Sequence, residues 1–203
     1  MQPIATSGVN FHCQTIKIRD EYNPIRDQKH KLYLWDTSGQ ECFRSITKAY
    51  FRGSACIYLV FDITNRTSFS HISQWLKDAK YYCNLRSIFV LIGNKLDLEE
   101  ERAVSYDEAY QFANENGMLY FETSAKSGEN VQNTFIQSCS EILDQIHQGT
   151  LCLDQSNGVW HDQIHRRTES FPSKKSEKTP ESFCSQICNF VSKSFCCCFL
   201  DKT

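Results

Sequence analysis

The sequence predicts an α/β domain with a mostly parallel sheet flanked by helices. Three observations predict it. Short apolar runs alternate with helix-period segments along residues 1–147. Two of those runs, Cys56 to Phe61 and Ile88 to Ile92, are unbroken, as expected of central strands covered on both faces. In three places a strand ends on a compact polar cluster, which is where open α/β sheets bind their ligands.

Each element has its own signal. Val9 to Ile18 alternates with period two, Val9 and Phe11 first and then, after a slip, Ile16 and Ile18. Lys31 to Trp35 resumes the alternation beyond the turn-rich stretch Arg19 to Lys29, so the two are expected to form an antiparallel hairpin with a long connection. After the run at Cys56, the segment Ser68 to Cys83 places Phe69, Ile72, Leu76 and Ala79 on one helical face. The run at Ile88 follows, and Ser105 with Glu108 three residues later gives a capping box that opens a second helix. Leu119 to Phe121 is a weaker strand. Asn130 to Ile146 carries Val131, Phe135, Cys139, Ile142, Leu143 and Ile146 at helical spacing, a stripe that faces a core.

Composition narrows the function classes. A chain of 203 residues and 23.6 kDa, 40% apolar, supports one globular domain plus extra segments. The net charge of -2, from 22 basic and 24 acidic residues, lacks the basic footprint of a general nucleic-acid binder. The longest apolar runs fall far short of the ~18–20 residues a membrane helix needs, and no basic-then-apolar export signal precedes them. Eleven cysteines are therefore unexpected. Five of them (Cys13, Cys42, Cys56, Cys83, Cys139) are scattered among apolar neighbours and read as reduced, half-buried thiols of a cytosolic protein. The others gather late: Cys152, and then Cys184, Cys188, Cys196, Cys197 and Cys198. Composition shifts at the same place, since Asp154 to Glu181 is too polar to offset its ordering entropy. The expected organisation is a folded unit at 1–147, a flexible linker at 148–182 and a Cys-rich tail at 183–203.

The polar clusters are Trp35-Asp36-Thr37-Ser38-Gly39-Gln40-Glu41, Gly93-Asn94-Lys95-Leu96-Asp97 and Glu122-Thr123-Ser124-Ala125-Lys126. Any one alone reads as turn or cap chemistry. Together, in this order, they resemble the Ras-like small GTPases, and specifically the Rab branch, over about Thr6 to Ile146. The resemblance implies a P-loop small-GTPase-like sheet and a GTP-binding and hydrolysing switch in vesicle-mediated transport, with GTP or GDP and Mg²⁺ as cofactors. Asn94 and Asp97 match the guanine-reading motif, in which a carboxylate accepts from the N1 and N2 hydrogens that only guanine offers as a pair. Lys95 would lay its stem over the base, and Ser124, Ala125 and Lys126 would present backbone N–H groups to the guanine oxygen. Asp36 corresponds to the acid that holds Mg²⁺ through water, Thr6 to the switch hydroxyl on the same ion, and Gly39 to the backbone that meets the γ-phosphate. Gln40 matches the catalytic glutamine that orients the attacking water.

Branch-level features follow from the same likeness. Phe11, Trp35 and Tyr50 fall where Rabs carry an aromatic triad read by effectors, and Arg44 to Gly53 reads like the second Rab switch. Phe121 to Val131, with Gln148 to Leu151, looks most like Rabs of Golgi, early-endosome and recycling traffic. Effectors, exchange and GTPase-activating factors, and escort or GDI-type proteins are the implied partners. The implied location is the cytoplasmic face of Golgi and endosomal membranes, with a cytosolic pool and no nucleic-acid partner.

One expected feature has no counterpart. Phosphate loops need Gly-x4-Gly-Lys-Ser/Thr, and none of the eight glycines is followed by lysine. The domain is therefore expected to be N-terminally truncated by about 35 residues, the size of a βα phosphate-binding unit. Its lost strand would be central, between the strands at Lys31 and Cys56, so the chain as written is expected to be unstable, rearranged or incomplete. A shortened, lipid-anchored decoy that keeps the effector or escort surface without holding phosphate is the alternative function.

In the tail, Phe183, Ile187, Val191, Phe195 and Cys198 lie near helical spacing downstream of Arg166, Arg167, Lys174, Lys175 and Lys178, a membrane-surface signal. Cys197 and Cys198 resemble the Rab geranylgeranyl pair although five residues follow them, and palmitoylation of Cys184, Cys188 or Cys196 is the other lipid reading. His161-x3-His165 with Cys184-x3-Cys188 has tolerable zinc spacing but reversed order and no apolar core between the pairs.

Overall fold

The computed structural model describes residues 9–19, 27–37, 49–83, 86–151, 159–161 and 195–202. Its strands are β1 (Val9–Arg19), β2 (Asp27–Thr37), β3 (Cys56–Asp62), β4 (Ile88–Asn94), β5 (Leu119–Thr123), β6 (Val159–His161) and β7 (Phe195–Lys202). The helices are α1 (Arg66–Tyr82), α2 (Tyr106–Glu115) and α3 (Val131–His147), with a 3-10 segment at Leu96–Glu101. One sheet runs β1-β2-β7-β3-β4-β5, and β6 lies beside β7.

The sheet has two characters. From β3 to β5 it is parallel, with Cys56 opposite Ile88 and Ile92 opposite Phe121. These strands read as unbroken apolar runs because both faces are covered. Tyr58, Val90 and Ile92 face one cluster with Phe135, Cys139 and Ile142 of α3. Ile57, Leu59 and Leu91 face another, built with Phe69, Ile72 and Leu76 of α1 and Ala109 and Ala113 of α2. A buried 2.6 Å hydrogen bond between Tyr58 Oη and Ser138 Oγ ties β3 to α3. Folding leaves no polar group of this pair without a partner, at a net gain of about 1 kcal/mol.

From β1 to β7 the sheet is antiparallel. β1 pairs β2 without interruption from Val9 opposite Thr37 to Arg19 opposite Asp27. The slip expected between Phe11 and Ile16 is absent. Instead both faces of β1 are used: Phe11 is exposed on one, and Ile16 and Ile18 are buried on the other, beside Leu32 and Leu34. The change of phase needs no bulge, because the apolar residues at the start of the strand stand on the opposite, more open face from those buried at its end.

β7 is the departure from expectation. Phe195 and Cys198 lie in a strand and not at positions of a helix, and that strand fills the place between β2 and β3. It runs antiparallel to both, with Cys197 opposite Trp35 on one side and Ile57 on the other, and Cys198 opposite Leu34 and Cys56. Beyond the end of β3 its partner becomes β6, where Val159 stands opposite Leu200. The remaining residues of 183–203 and most of 148–182 lie outside the described residues, as do Thr6, Gly39, Gln40 and Cys42.

Candidate functional site

Two of the three polar clusters expected to converge meet, those at the carboxyl ends of β4 and β5, beside the end of β3 at Asp62; the first, after β2, runs beyond the described residues at Thr37. Gly93 shows how tight that edge is. A Cβ there would sit 3.0 Å from Ile63 Cγ2, 3.1 Å from Tyr120 Oη and 3.2 Å from Phe61 Cζ. Any side chain there would force these neighbours to give by a few tenths of an ångström, so glycine suits the point where β4 passes into its loop.

Asn94 is buried at the strand end, where its Oδ1 accepts from the Ala125 N–H at 3.0 Å. That bond fastens the β4 loop to the β5 loop. Lys95 adopts a left-handed backbone, φ 70°, and so turns the chain sharply into the 3-10 segment. Its Nζ pairs with Asp62 Oδ2 at 2.5 Å, while Asp62 Oδ1 accepts from the Thr64 N–H and hydroxyl at 2.9 and 2.7 Å. Two residues later Asp97 meets Ser124: the buried Ser124 hydroxyl donates to Asp97 Oδ1 at 2.6 Å, and Lys126 Nζ lies 3.5 Å from Oδ2. The Ser124 hydrogen bond, aided by Lys126 and opposed by partial burial, holds the Asp97 carboxyl below the usual carboxylate range.

Behind this loop stands a group that the sequence reading passed over. Arg102 makes a bidentate pair with Glu122, 2.8 Å to each carboxylate oxygen, and also binds Glu99. Glu122 further accepts from Tyr120 Oη at 2.6 Å, and its backbone carbonyl accepts from Asn130 Nδ2 at 2.8 Å. The Arg102 side chain is 16% exposed and that of Glu122 is 10% exposed, so this ion pair is screened far less than a surface one. Hydrogen bonds to Glu122 and then Glu99 raise the Arg102 pKa, and burial followed by the Glu122 bond keeps the Tyr120 phenol protonated well above its usual range. The network fixes β5, the 3-10 segment and the start of α3 relative to one another. Arg102 hid in the sequence as the end of the acidic run Glu99-Glu100-Glu101, where a solvated charge is the ordinary reading.

A family model of the Ras family matches residues 1–144. The chain belongs to the Ras family. This Ras-family chain is thus a small GTPase by membership, and GTP and GDP are the ligands of its family. The guanine half of the site fits that ligand. A carboxylate that stays ionised is the acceptor guanine's two ring-edge donors need, and Asp97 is held ionised at the mouth of the two joined loops. Within this Ras-family loop the Ser124 N–H donates to the Glu129 carbonyl at 3.1 Å and the Ala125 N–H to Asn94, so two of the three expected donors are engaged by the protein itself.

The phosphate half is different. Of its expected residues only Asp36 is described; it is 2% exposed at the end of β2, opposite Asn10 and Cys196. In a phosphate-loop protein the loop follows the carboxyl end of a strand lying beside β3 and parallel to it. Here that place holds β7, whose amino end, Phe195, stands opposite Leu59 and Thr37 at the ligand side of the sheet. A strand of this direction cannot deliver a phosphate loop to the site. Among the described residues none supplies the lysine and backbone cradle a triphosphate requires, and no group of three or more His, Cys, Asp or Glu is placed to hold a metal ion.

The aromatic residues singled out in the sequence lie together. Phe11 and Trp35 rings are 4.7 Å apart and Trp35 and Tyr50 are 5.0 Å apart, with Tyr33 stacked on Phe11 at 5.9 Å. Phe11 is 44% exposed, whereas Trp35 and Tyr50 also pack against the cluster beneath α1. Of the scattered thiols, Cys56 and Cys139 are buried, Cys83 is half-buried and Cys13 is exposed on β1, outside the half-buried class expected for it.

Proposed function

We propose that this chain is a Rab-branch GTPase, a switch in vesicle-mediated transport read by effectors at the cytoplasmic face of Golgi and endosomal membranes. The contiguous row Phe11–Trp35–Tyr50 supports the branch: an exposed aromatic anchored on two half-buried ones is a preorganised contact for a partner, with little side-chain entropy left to lose. In this reading Asn94 joins the loops, Asp97 selects guanine, and Lys95 leaves Asp62 to cover the base. Ser124, Ala125 and Lys126 present the loop that meets the base's carbonyl oxygen. Asp36 and Thr6 would hold Mg²⁺, which neutralises phosphate charge when bound; Gly39 would meet the terminal phosphate and Gln40 orient water. Cys197 and Cys198 would carry the lipid that keeps the switch on membranes.

The test is surface plasmon resonance against purified effector domains of Golgi and endosomal Rabs. Binding that weakens at least ~10-fold in Phe11→Ala supports the branch, since a central aromatic anchor is worth more than ~1 kcal/mol. Binding confined to effectors of Ras proper, or none at all, overturns it.

β7 favours a second reading. With an antiparallel strand in the phosphate-loop position, the chain acts as a binding module that keeps the effector or escort surface and does not hold phosphate. The two separate on one titration with fluorescent GDP and Mg²⁺. The switch requires sub-micromolar, Mg²⁺-dependent affinity, and the module shows none.

A further inference from the structure

The β2–β3 gap is the most demanding place in the fold. The residues that border it, Leu32, Leu34, Cys56, Ile57, Tyr58 and Leu59, are all at most 1% exposed. Both neighbours would otherwise present unpaired backbone to it, and a buried unpaired N–H or C=O costs ~1–3 kcal/mol. Some strand must fill it. The strand that does comes from the far end of the chain: β7 pairs with β2 over its full length, from Thr37 opposite Phe195 to His30 opposite Lys202, and with β3 from Leu59 opposite Phe195 to Cys56 opposite Cys198.

We infer that the gap is a strand-acceptor site filled in cis by β7, and that seating β7 withholds Cys196, Cys197 and Cys198 from lipid attachment. The reasoning concerns backbone. A segment whose main-chain groups are paired on both sides cannot also lie extended in the cleft of a modifying enzyme or enter a bilayer interface, because either requires those groups to be unpaired from the sheet. β7 is paired to β2 and β3 at once from Phe195 to Cys198, a span that holds all three of these cysteines. The acceptor is strand-specific in direction as well as in place, since β7 is antiparallel to both neighbours. The occupant is the chain's own tail: 47 residues lie between His147 and Phe195, and a chain of that length reaches at most ~155 Å, more than enough to return across a domain of this size.

β7 can also leave without dismantling the parallel core. It closes the longest loop in the sheet, so it gains its contacts last, and the parallel core from β3 to β5 closes without it. Release would yield an extended Cys-rich segment and an open acceptor in one step. The protein then has two exclusive states, tail seated with thiols withheld and tail free with thiols available. The lipid half of this inference rests on the tail reading under Proposed function; the acceptor half does not.

The register supplies the experiment. Directly opposed antiparallel residues have Cα atoms about 4.5–5.5 Å apart, within the reach of a disulfide, and Cys56 is directly opposite Cys198. Mild oxidation of the full chain with diamide is expected to give an intramolecular Cys56–Cys198 cross-link, mapped by mass spectrometry and independent of protein concentration. Absence of that link with Cys56 intact, or a link that joins two chains, overturns the cis acceptor. Tail reactivity is then measured on the reduced chain with palmitoyl-coenzyme A: the cysteine thiolate attacks the thioester carbon, and coenzyme A leaves as its thiolate. Cys196→Pro removes one ladder donor from the amino-terminal part of β7, where it pairs with both neighbours, and leaves Cys197 and Cys198 to report. Acylation of those two is expected to be at least ~10-fold faster in the variant, and equal to that of a free 190–203 peptide, as for a site that reacts only when locally open. If the cross-link forms but the native chain acylates as fast as the peptide, the exclusion fails and the acceptor stands. If the variant loses its circular-dichroism signal, 2 M urea on the native chain replaces it, with the same acceleration expected below the main unfolding transition; no acceleration overturns the exclusion.

Discussion

The two sides of the ligand edge are built in opposite ways. The guanine side, from β4 through β5 to α3, is assembled from a continuous stretch, 88–147, and its loops are latched by short bonds at Asn94–Ala125, Asp97–Ser124 and Arg102–Glu122. The phosphate side joins β1 and β2 near the start of the chain to β7 near its end. Local latching survives the loss of a distant segment, whereas a sheet completed across the whole chain does not. The two sides of this edge are thus structurally separable, one held by local bonds and the other by pairing between the two ends of the chain.

That separation can be broken on the phosphate side first. Cys196→Pro should cost about 3 kcal/mol where β7 pairs, and amide exchange should rise in β2 and β3 while β4 and β5 keep their protection. Uniform loss of protection across all four strands would show that the two halves are one cooperative unit. On the guanine side, Arg102→Ala leaves Glu122 buried without its partner, an expected loss of about 3 kcal/mol in urea unfolding. Replacing both residues by Met should recover most of it, because the pair's desolvation cost disappears with the pair. Gly93→Ala should cost about 1–3 kcal/mol, since Ile63, Tyr120 and Phe61 must all give way in a packed edge.

The smallest effect sharpens the comparison by pH. The folded pKa of Asp97 lies below its unfolded value, so its latch is at full strength above the unfolded pKa of about 3.9 and is lost as pH falls through the folded value. Carboxyl-carbon NMR should show Asp97 titrating below an exposed aspartate, and Ser124→Ala should move it back up. A shift unaffected by Ser124→Ala would mean that the two loops are not joined there.

Much of this was legible in residues 49–147. Period and turn chemistry placed β3, β4, β5 and the three helices, and the Ser105 cap is present, its hydroxyl accepting from the Glu108 N–H at 3.2 Å. Even there the capping box is only half made, because the Glu108 side chain pairs instead with Arg66, a residue distant in sequence. The first long helix begins at Arg66 with Asn65 as its cap, a turn earlier than the apolar stripe implies, since capping depends on a side-chain oxygen and not on periodicity. Arg102 was illegible for a related reason: a charge beside an acidic run looks solvated until a buried Glu122 is folded against it.

The sequence by itself determined which segments are strands and helices in the parallel half, the polar clusters at the ends of β4 and β5, and the family to which those motifs point. These are short-range properties, written in alternation, helical period and motif spacing. Only the tertiary structure decided that Arg102 braces the loop after β4 and that β7 completes the sheet. A strand's own pattern shows that it can pair, while its place and direction depend on which neighbouring edges are left open. For β7 those edges lie at the opposite end of the chain.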